Sequence, residues 1–371
     1  MSDMTPAFQF FLIIIGCAWV FPFVLAWVRF DRLPHAKYLF ISLLFSPLIL
    51  LDEFLVAFKV HSQAPYLLGV FDFVPVLVVV LAFLSVQRML LERPEDPIRH
   101  LLVVALFALG QLPFLLMSSE AKVTLSEMSI AGEFALFWHI YLYQFLTAIV
   151  ILAYTAFILM DLIEHKKHLK EHAVDLLFYN LTSVSVMFSM ILAVAATAVI
   201  TVFIVAFDVR FVSFWQYGLA MLYSVSFWLV LMSLVGKRHF ALAPFSYAAL
   251  KGARFSESHL KAVLERAEEA IVQSKGYRKK GVRLKHLCDI AKVEPLELAV
   301  ALQTLLHKNF RDFIFHYRLE YAKVLLTQTD AKVSTVARKL GFHSDKYLSE
   351  LFEQYIEQLS HHESTDVDHF E

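Results

Sequence analysis

Seven stretches of about 20 or more mostly apolar residues follow one another along the chain as far as Val235, and none occurs beyond it. They cover residues 6–30, 36–60, 66–91, 98–117, 132–162, 181–207 and 211–235. Hydrocarbon offers no partner to an open backbone group, so each stretch reads as a helix that closes its own hydrogen bonds across a bilayer. With 58% hydrophobic residues and a mean hydropathy of +0.61, water cannot be the only solvent of this chain. The first stretch has neither a basic lead-in nor a small-residue cleavage site, so it is expected to stay as a span and not to be removed as a signal peptide.

Basic residues in short loops orient such spans, because the cytoplasmic side carries the excess of Lys and Arg. One alternating set of loops holds Arg29, Arg32 and Lys37, then Arg88, Arg93 and Arg99, then Lys166, Lys167 and Lys170, then Lys237 and Arg238. The other set holds only Lys59, Lys122 and Arg210. The bias places the N-terminus outside and everything from about Gly236 onward in the cytoplasm of a bacterial inner membrane. A charge near the bilayer centre costs about 3 kcal/mol or more unless it faces a cavity or a partner. Asp52, Glu53, Asp72, Glu133, His139 and Asp208 all fall toward the outer halves of their helices in this orientation. Pro47, Pro75 and Pro113 add kinks that open such a half-bundle. Two readings are open: an acidic, outward-facing ligand pocket built from Asp52, Glu53, Asp72, Glu133 and His139, or groups that sit at the interface and touch water.

His165, His168 and His172 in HKKHLKEH lie about one helical turn apart, but Lys166, Lys167 and Lys170 stand among them. The run reads as an ordinary basic cytoplasmic loop, with metal binding the weaker alternative. No metal or other cofactor is expected. The two cysteines, Cys17 in an apolar stretch and Cys288 in a polar one, form no disulfide framework.

Beyond Lys251 the composition changes to charged, periodic helix. Leu260, Val263, Leu264, Ala267 and Ile271 share one face of an amphipathic helix whose expected role is to pack on the domain C-terminal to it. The basic joint Lys275-Gly276-Tyr277-Arg278-Lys279-Lys280 suits phosphates of lipid or DNA alike. Residues 284–306 read as helix, short turn, helix, with Leu284, Leu287, Cys288 and Ala291 turned inward and Pro295 opening the second helix. A second unit comes later, with Val333, Val336, Ala337 and Leu340 leading into Gly341-Phe342 and a further helix from Ser344 to Phe352. The formal net charge is −1, so any grip on nucleic acid has to come from this local arrangement.

Between the two units runs Asn309-Phe310-Arg311-Asp312-Phe313-Ile314, then Tyr317-Arg318-Leu319-Glu320 with Ala322-Lys323 and Leu325-Leu326; Val336-Ala337, Gly341-Phe342-His343-Ser344 and Phe352 complete the pattern. Over residues 276–354 this resembles the AraC family of transcription regulators, and is similar to the branch in which that domain ends a polytopic membrane protein. The resemblance implies two helix-turn-helix units joined by a linker helix, the second helix of each entering a major groove about one DNA turn from the other. It puts His343, Ser344, Asp345, Lys346 and Ser349 of the second unit at the duplex, and Leu296, Glu297, Ala299, Val300 and Gln303 of the first. The first set is poor in donors where family members usually supply Arg, Ser or Asn. Lys292 replaces the usual turn glycine, and Glu353, Glu357 and an acidic, histidine-bearing tail replace the family's basic closing segment.

The expected fold class is therefore all-α: a seven-helix transmembrane bundle followed by a cytoplasmic all-α domain with two helix-turn-helix units. The expected domains are a sensor over 1–236, a linker over 237–280, the DNA-binding domain over 281–356 and an acidic tail over 357–371. The expected function is a membrane-bound regulator, not an enzyme, that couples a signal sensed by the bundle to promoter binding. Its partners would be promoter double-stranded DNA, membrane lipid and a small-molecule or membrane-borne signal. Tandem units can fill a site as one chain, so a homodimer is an option and not a requirement. A membrane receptor whose tail binds another protein instead of DNA is the alternative, and a transporter or membrane enzyme with a regulatory tail a third.

Overall fold

The structure, a computed structural model, describes residues 6–30, 36–91, 96–127, 132–177, 179–207, 215–236, 241–328 and 332–340. It is 81% helical with no strand among these residues, and it divides into two compact units. One unit comprises Met1–Glu164 with Leu181–Phe240, the other His165–Asn180 with Ala241–Glu371.

The first unit opens with α1 (Pro6–Ala18) and α2 (Val20–Val28), then α3 (Ala36–Phe45). At Pro47 the chain tightens into a 3-10 turn, Ser46–Leu50, before α4 (Leu51–Ala57), because proline offers no N–H to the turn before it. The central helix is α5 (Val74–Leu90), buried nearly all round from Val76 to Leu90. An apolar helix with no polar face belongs in a core. Helix α5 packs on α3 and on α6 (Pro97–Gly110), and the unit continues through α7 (Leu112–Leu115), α8 (Ser119–Glu127), α9 (Phe134–His172), α10 (Thr182–Ala206) and α11 (Trp215–Gly236). Trp228 Nε1 donates to the Ala18 carbonyl at 3.0 Å and Arg29 Nη1 to the Val235 carbonyl at 2.8 Å, tying the first span to α11.

Among the described residues six helices are long and apolar enough to cross a membrane: Phe8–Val28, Lys37–Ala57, Pro97–Leu115, Phe134–His172, Thr182–Ala206 and Gly218–Gly236. These helices leave Leu102, Leu106, Ile200 and Phe203 exposed. The expected third span departs from this pattern. Residues 66–73 are a 3-10 turn and loop through Gly69 at φ +71°, and α5 has only 17 residues, about 26 Å against the ~30 Å of a hydrocarbon core. Pro65, Gly69 and Pro75 break the helix where hydropathy alone continues it. Conversely α9 has 39 residues, about 58 Å, and outruns a single crossing; its last eight residues, from His165, fall in the second unit.

The second unit holds α12 (Tyr247–Gly252), α13 (Glu257–Ser274), α14 (Leu284–Ala291), α15 (Pro295–Leu305), α16 (Phe310–Gln328) and α17 (Val333–Leu340). Ser256 caps α13 by accepting from the His259 N–H, and Leu260, Val263, Leu264, Ala267 and Ile271 are buried, the stripe expected from periodicity. That face packs on α14 and α15. Lys292 closes α14 in the left-handed region at φ +55°, which a side chain tolerates at a cost of about 1 kcal/mol where glycine pays none. Asn309 starts α16 by accepting from the Asp312 N–H at 3.1 Å. Val336, Ala337 and Leu340 of α17 are buried against Leu319 and Ala322 of α16.

Candidate functional site

Between the helices of the first unit lies a cavity of about 380 Å³, within the size range of small-molecule sites. Asp52 and Glu53 reach it from α4, Asp72 from the loop before α5, and His139 from α9. Four residues singled out along the sequence thus come together. Glu133 does not: it is exposed just ahead of α9 and lines no part of this cavity. Asp208 lies outside the described residues.

The tertiary structure adds groups that the sequence did not assign to this pocket. Lys122 of α8, only 4% exposed, lines the cavity with its ammonium 5.4 Å from the Phe114 ring centre, and Asp52 feels its charge together with those of Asp72 and Glu53. The Gly69 N–H donates to Asp52 Oδ2 at 2.9 Å. No other residue fits at Gly69, since a Cβ there would overlap the Phe114 ring and its φ is left-handed. The Gln111 side chain pairs with the Tyr143 hydroxyl at 3.0 Å. Glu53 Oε2, Gln144 Oε1, Thr147 Oγ1 and the Tyr223 hydroxyl are buried without a hydrogen-bond partner among the described residues, and all four residues line this cavity. Polar residues such as Gln111 and Gln144 inside otherwise apolar helices were the available signal, because each needs a reason to be there.

In the second unit the first helix-turn-helix consists of α14, the Lys292 turn and α15. Its five nominated positions are largely engaged within the unit. Ala299 and Val300, 3% and 9% exposed, belong to the core, so in this structure their side chains face the interior of the unit and not its surface. Leu296 packs against the same core. Glu297 pairs with His259 Nε2 at 3.0 Å, and Gln303 Nε2 donates to Glu171 Oε2 at 3.0 Å. Both α12 and α13 pack on α15. The shortage of donors in Leu-Glu-Leu-Ala-Val-Ala has its physical reason here: the helix face is a packing surface for its own chain. His343, Ser344, Asp345, Lys346 and Ser349 lie outside the described residues.

Among the described residues the most buried charge is carried by α16. Arg318, 0% exposed, donates from Nη1 and Nη2 to the two carboxylate oxygens of Asp175 at 3.0 and 3.3 Å, from Nε to the Tyr277 carbonyl at 2.9 Å and from Nη2 to the Lys279 carbonyl at 2.8 Å. Asp175 also accepts from the Gly281 N–H. Around this pair Ala173 bridges Arg283 in antiparallel fashion, the Val174 N–H donates to the Val282 carbonyl, and the Tyr179 hydroxyl to the Gly281 carbonyl. The segment joining α9 to α10 is thereby built into the unit that carries the helix-turn-helix. Nothing local to Asp175 marks it in the sequence, since its partner is 143 residues away.

The histidine run has a packing role in the same unit. His168 stacks on Tyr247 with ring centres 4.6 Å apart, the Tyr247 hydroxyl lies 3.1 Å from His165 Nδ1, and His172 Nε2 donates to the Ala241 carbonyl at 3.2 Å. Among the described residues no group of three or more His, Cys, Asp or Glu is placed to hold a metal ion. Cys288 is buried on α14, and burial, with Asp289 and Glu294 nearby, pushes its thiol up to about 12. The thiolate is the nucleophile, so Cys288 is expected to resist iodoacetamide at pH 8 in the folded chain and to react once the chain is unfolded in detergent, as read by mass spectrometry of its peptide.

A family model described as a helix-turn-helix domain, of AraC type, matches residues 287–359. No curated protein and no solved structure matches the chain.

Proposed function

We propose that this chain, which carries an AraC-type helix-turn-helix domain over residues 287–359, is a transcription regulator embedded in the bacterial cytoplasmic membrane, with its N-terminus outside and its second unit in the cytoplasm. A signal sensed by the apolar helices of the first unit alters promoter binding by the second. The observation that carries this reading is the Asp175–Arg318 pair: the segment between two candidate spans is part of the fold of the DNA-binding unit. In this reading a displacement of the segment between α9 and α10 bears on Arg318 of α16 through Asp175. Coupling of this kind requires the signal to bind the two states of the bundle with different affinity.

Base reading falls in this proposal to the second helix-turn-helix, through His343, Ser344, Asp345, Lys346 and Ser349. In the first, Glu297 and Gln303 keep a polar side chain for the duplex only when their internal partners release them. The signal site is the cavity lined by Asp52, Glu53, Asp72 and His139. Lipid surrounds the first unit, and a homodimer is optional because one chain holds both helix-turn-helix units.

Chromatin mapping of the intact protein tests the proposal. Discrete genomic loci, with salt-dependent binding of the purified chain to those sequences, are the expected result. An enriched protein partner with no loci would replace it with the second reading, a receptor whose tail binds protein. The buried face of α15 is what favours that second reading.

A further inference from the structure

We infer that the cavity of the first unit binds a small organic cation, a primary amine carried on a compact apolar body. The inference gives a chemical class to the signal of the proposed regulator, but it stands on the first unit alone and does not need DNA binding.

Charge is the first ground. Asp52, Glu53 and Asp72 meet in the cavity, and among the described residues Lys122 is the single ammonium that lines it. Carboxylates withdrawn from water are expensive to keep unless a cation or a set of donors answers them. Gly69 already donates to Asp52, whereas Oε2 of Glu53 has no hydrogen-bond partner among the described residues and is open to a donor that enters.

Hydrogen-bond bookkeeping is the second ground, independent of the first. Buried polar atoms in folded proteins almost always have partners. Here the orphaned oxygens of Glu53, Gln144, Thr147 and Tyr223 come from α4, α9 and α11 and line one cavity. Tyr223 is 9% exposed and still has nothing at its hydroxyl among the described residues. All four oxygens can accept. An ammonium group has three donors and no acceptor, so it can be taken by any of the four, whereas a carboxylate ligand would be met only by the Thr147 and Tyr223 hydroxyls and would face the acceptors of Glu53 and Gln144.

The rest of the wall decides against a bare metal ion. Leu48, Phe71, Phe114 and Leu219 line the same space, and among the described residues no carboxylate and histidine grouping has the geometry of a metal site. A ligand with one charged end and one apolar end fits both parts of the lining.

Three molecules of one skeleton separate the possibilities: 2-phenylethylamine, 2-phenylethanol and phenylacetate, each titrated by calorimetry against the full chain in nanodiscs of phosphatidylethanolamine and phosphatidylglycerol. The amine is expected to bind at least about tenfold more tightly than the alcohol, with phenylacetate weaker again. Asp52→Asn with Glu53→Gln is expected to reduce the amine to the affinity of the alcohol, and Tyr223→Phe to weaken it several-fold while leaving the chain monodisperse and its thermal transition unchanged. Equal affinity for amine and alcohol, preference for phenylacetate, amine binding indifferent to Asp52→Asn, Glu53→Gln and Tyr223→Phe, or no binding of the amine at millimolar concentration would each overturn the inference. Amine binding with no genomic loci would instead leave this site standing and remove the regulator reading.

Discussion

Asp175→Ala is expected to destabilise the second unit by about 3–5 kcal/mol, because it strands the Arg318 guanidinium in a place with no access to water. The Tyr277 and Lys279 carbonyls still accept from Arg318, which holds the loss toward the lower end. Two controls separate charge from packing. Asp175→Asn keeps an acceptor and is expected to lose less. Arg318→Met combined with Asp175→Ala removes the buried charge as well as its partner, so the double variant is expected to be more stable than Asp175→Ala alone; the cycle gives the coupling between the two side chains. Hydrogen exchange on the full chain in detergent is the measurement, with faster exchange expected at Gly281 and along α16 and none of the change spreading to α5. Uniform exchange across both units would show that the pair does not hold the segment to the linker helix. Within the proposed function the same variant is expected to disconnect transcription from signal, since the segment between α9 and α10 is then no longer held to α16.

The second large effect concerns the asymmetry between the two helix-turn-helix units. Lys346→Ala is expected to reduce affinity for a selected promoter by about 1–3 kcal/mol, roughly 5- to 150-fold, and to lower the salt slope by about one if the lysine meets a phosphate. Gln303→Ala is expected to change affinity less than about twofold, within the range of a side chain that carries no base contact. Its amide is bonded to Glu171 and its neighbours Ala299 and Val300 are in the core. Gel-shift titration of the full chain across a range of salt concentrations reads both numbers. If Gln303→Ala costs as much as Lys346→Ala, α15 enters the groove in the bound state and its contacts with α12, α13 and Glu171 must open first.

Much of this was legible from periodicity and residue type. The stripes Leu260 to Ile271, Leu284 to Ala291 and Val336 to Leu340 are buried as their spacing requires, because a helix repeats every 3.6 residues whatever it packs against. Among the described residues, six apolar helices long enough to cross a membrane stand where hydropathy puts spans. The seventh shows where that approach stops: Pro65, Gly69 and Pro75 shorten α5 by local backbone chemistry that a hydropathy window averages away. Glu133 shows a second limit, since a place near the end of a helix does not say which way the side chain looks.

The amino-acid order by itself determined that the chain is all-helical, that its apolar part ends near Val235, and that an AraC-type helix-turn-helix comes after it, since each rests on local hydrophobic period and on one contiguous run of residues. Only the tertiary structure decided that Asp175 answers Arg318, that α12 and α13 pack on α15, and that Tyr223, Gln144 and Thr147 join the carboxylates of α4 around one cavity. These are meetings of residues far apart along the chain. Which distant charge or orphaned oxygen finds which partner is set by how helices pack, and packing is a property of the three-dimensional arrangement that no window of sequence contains.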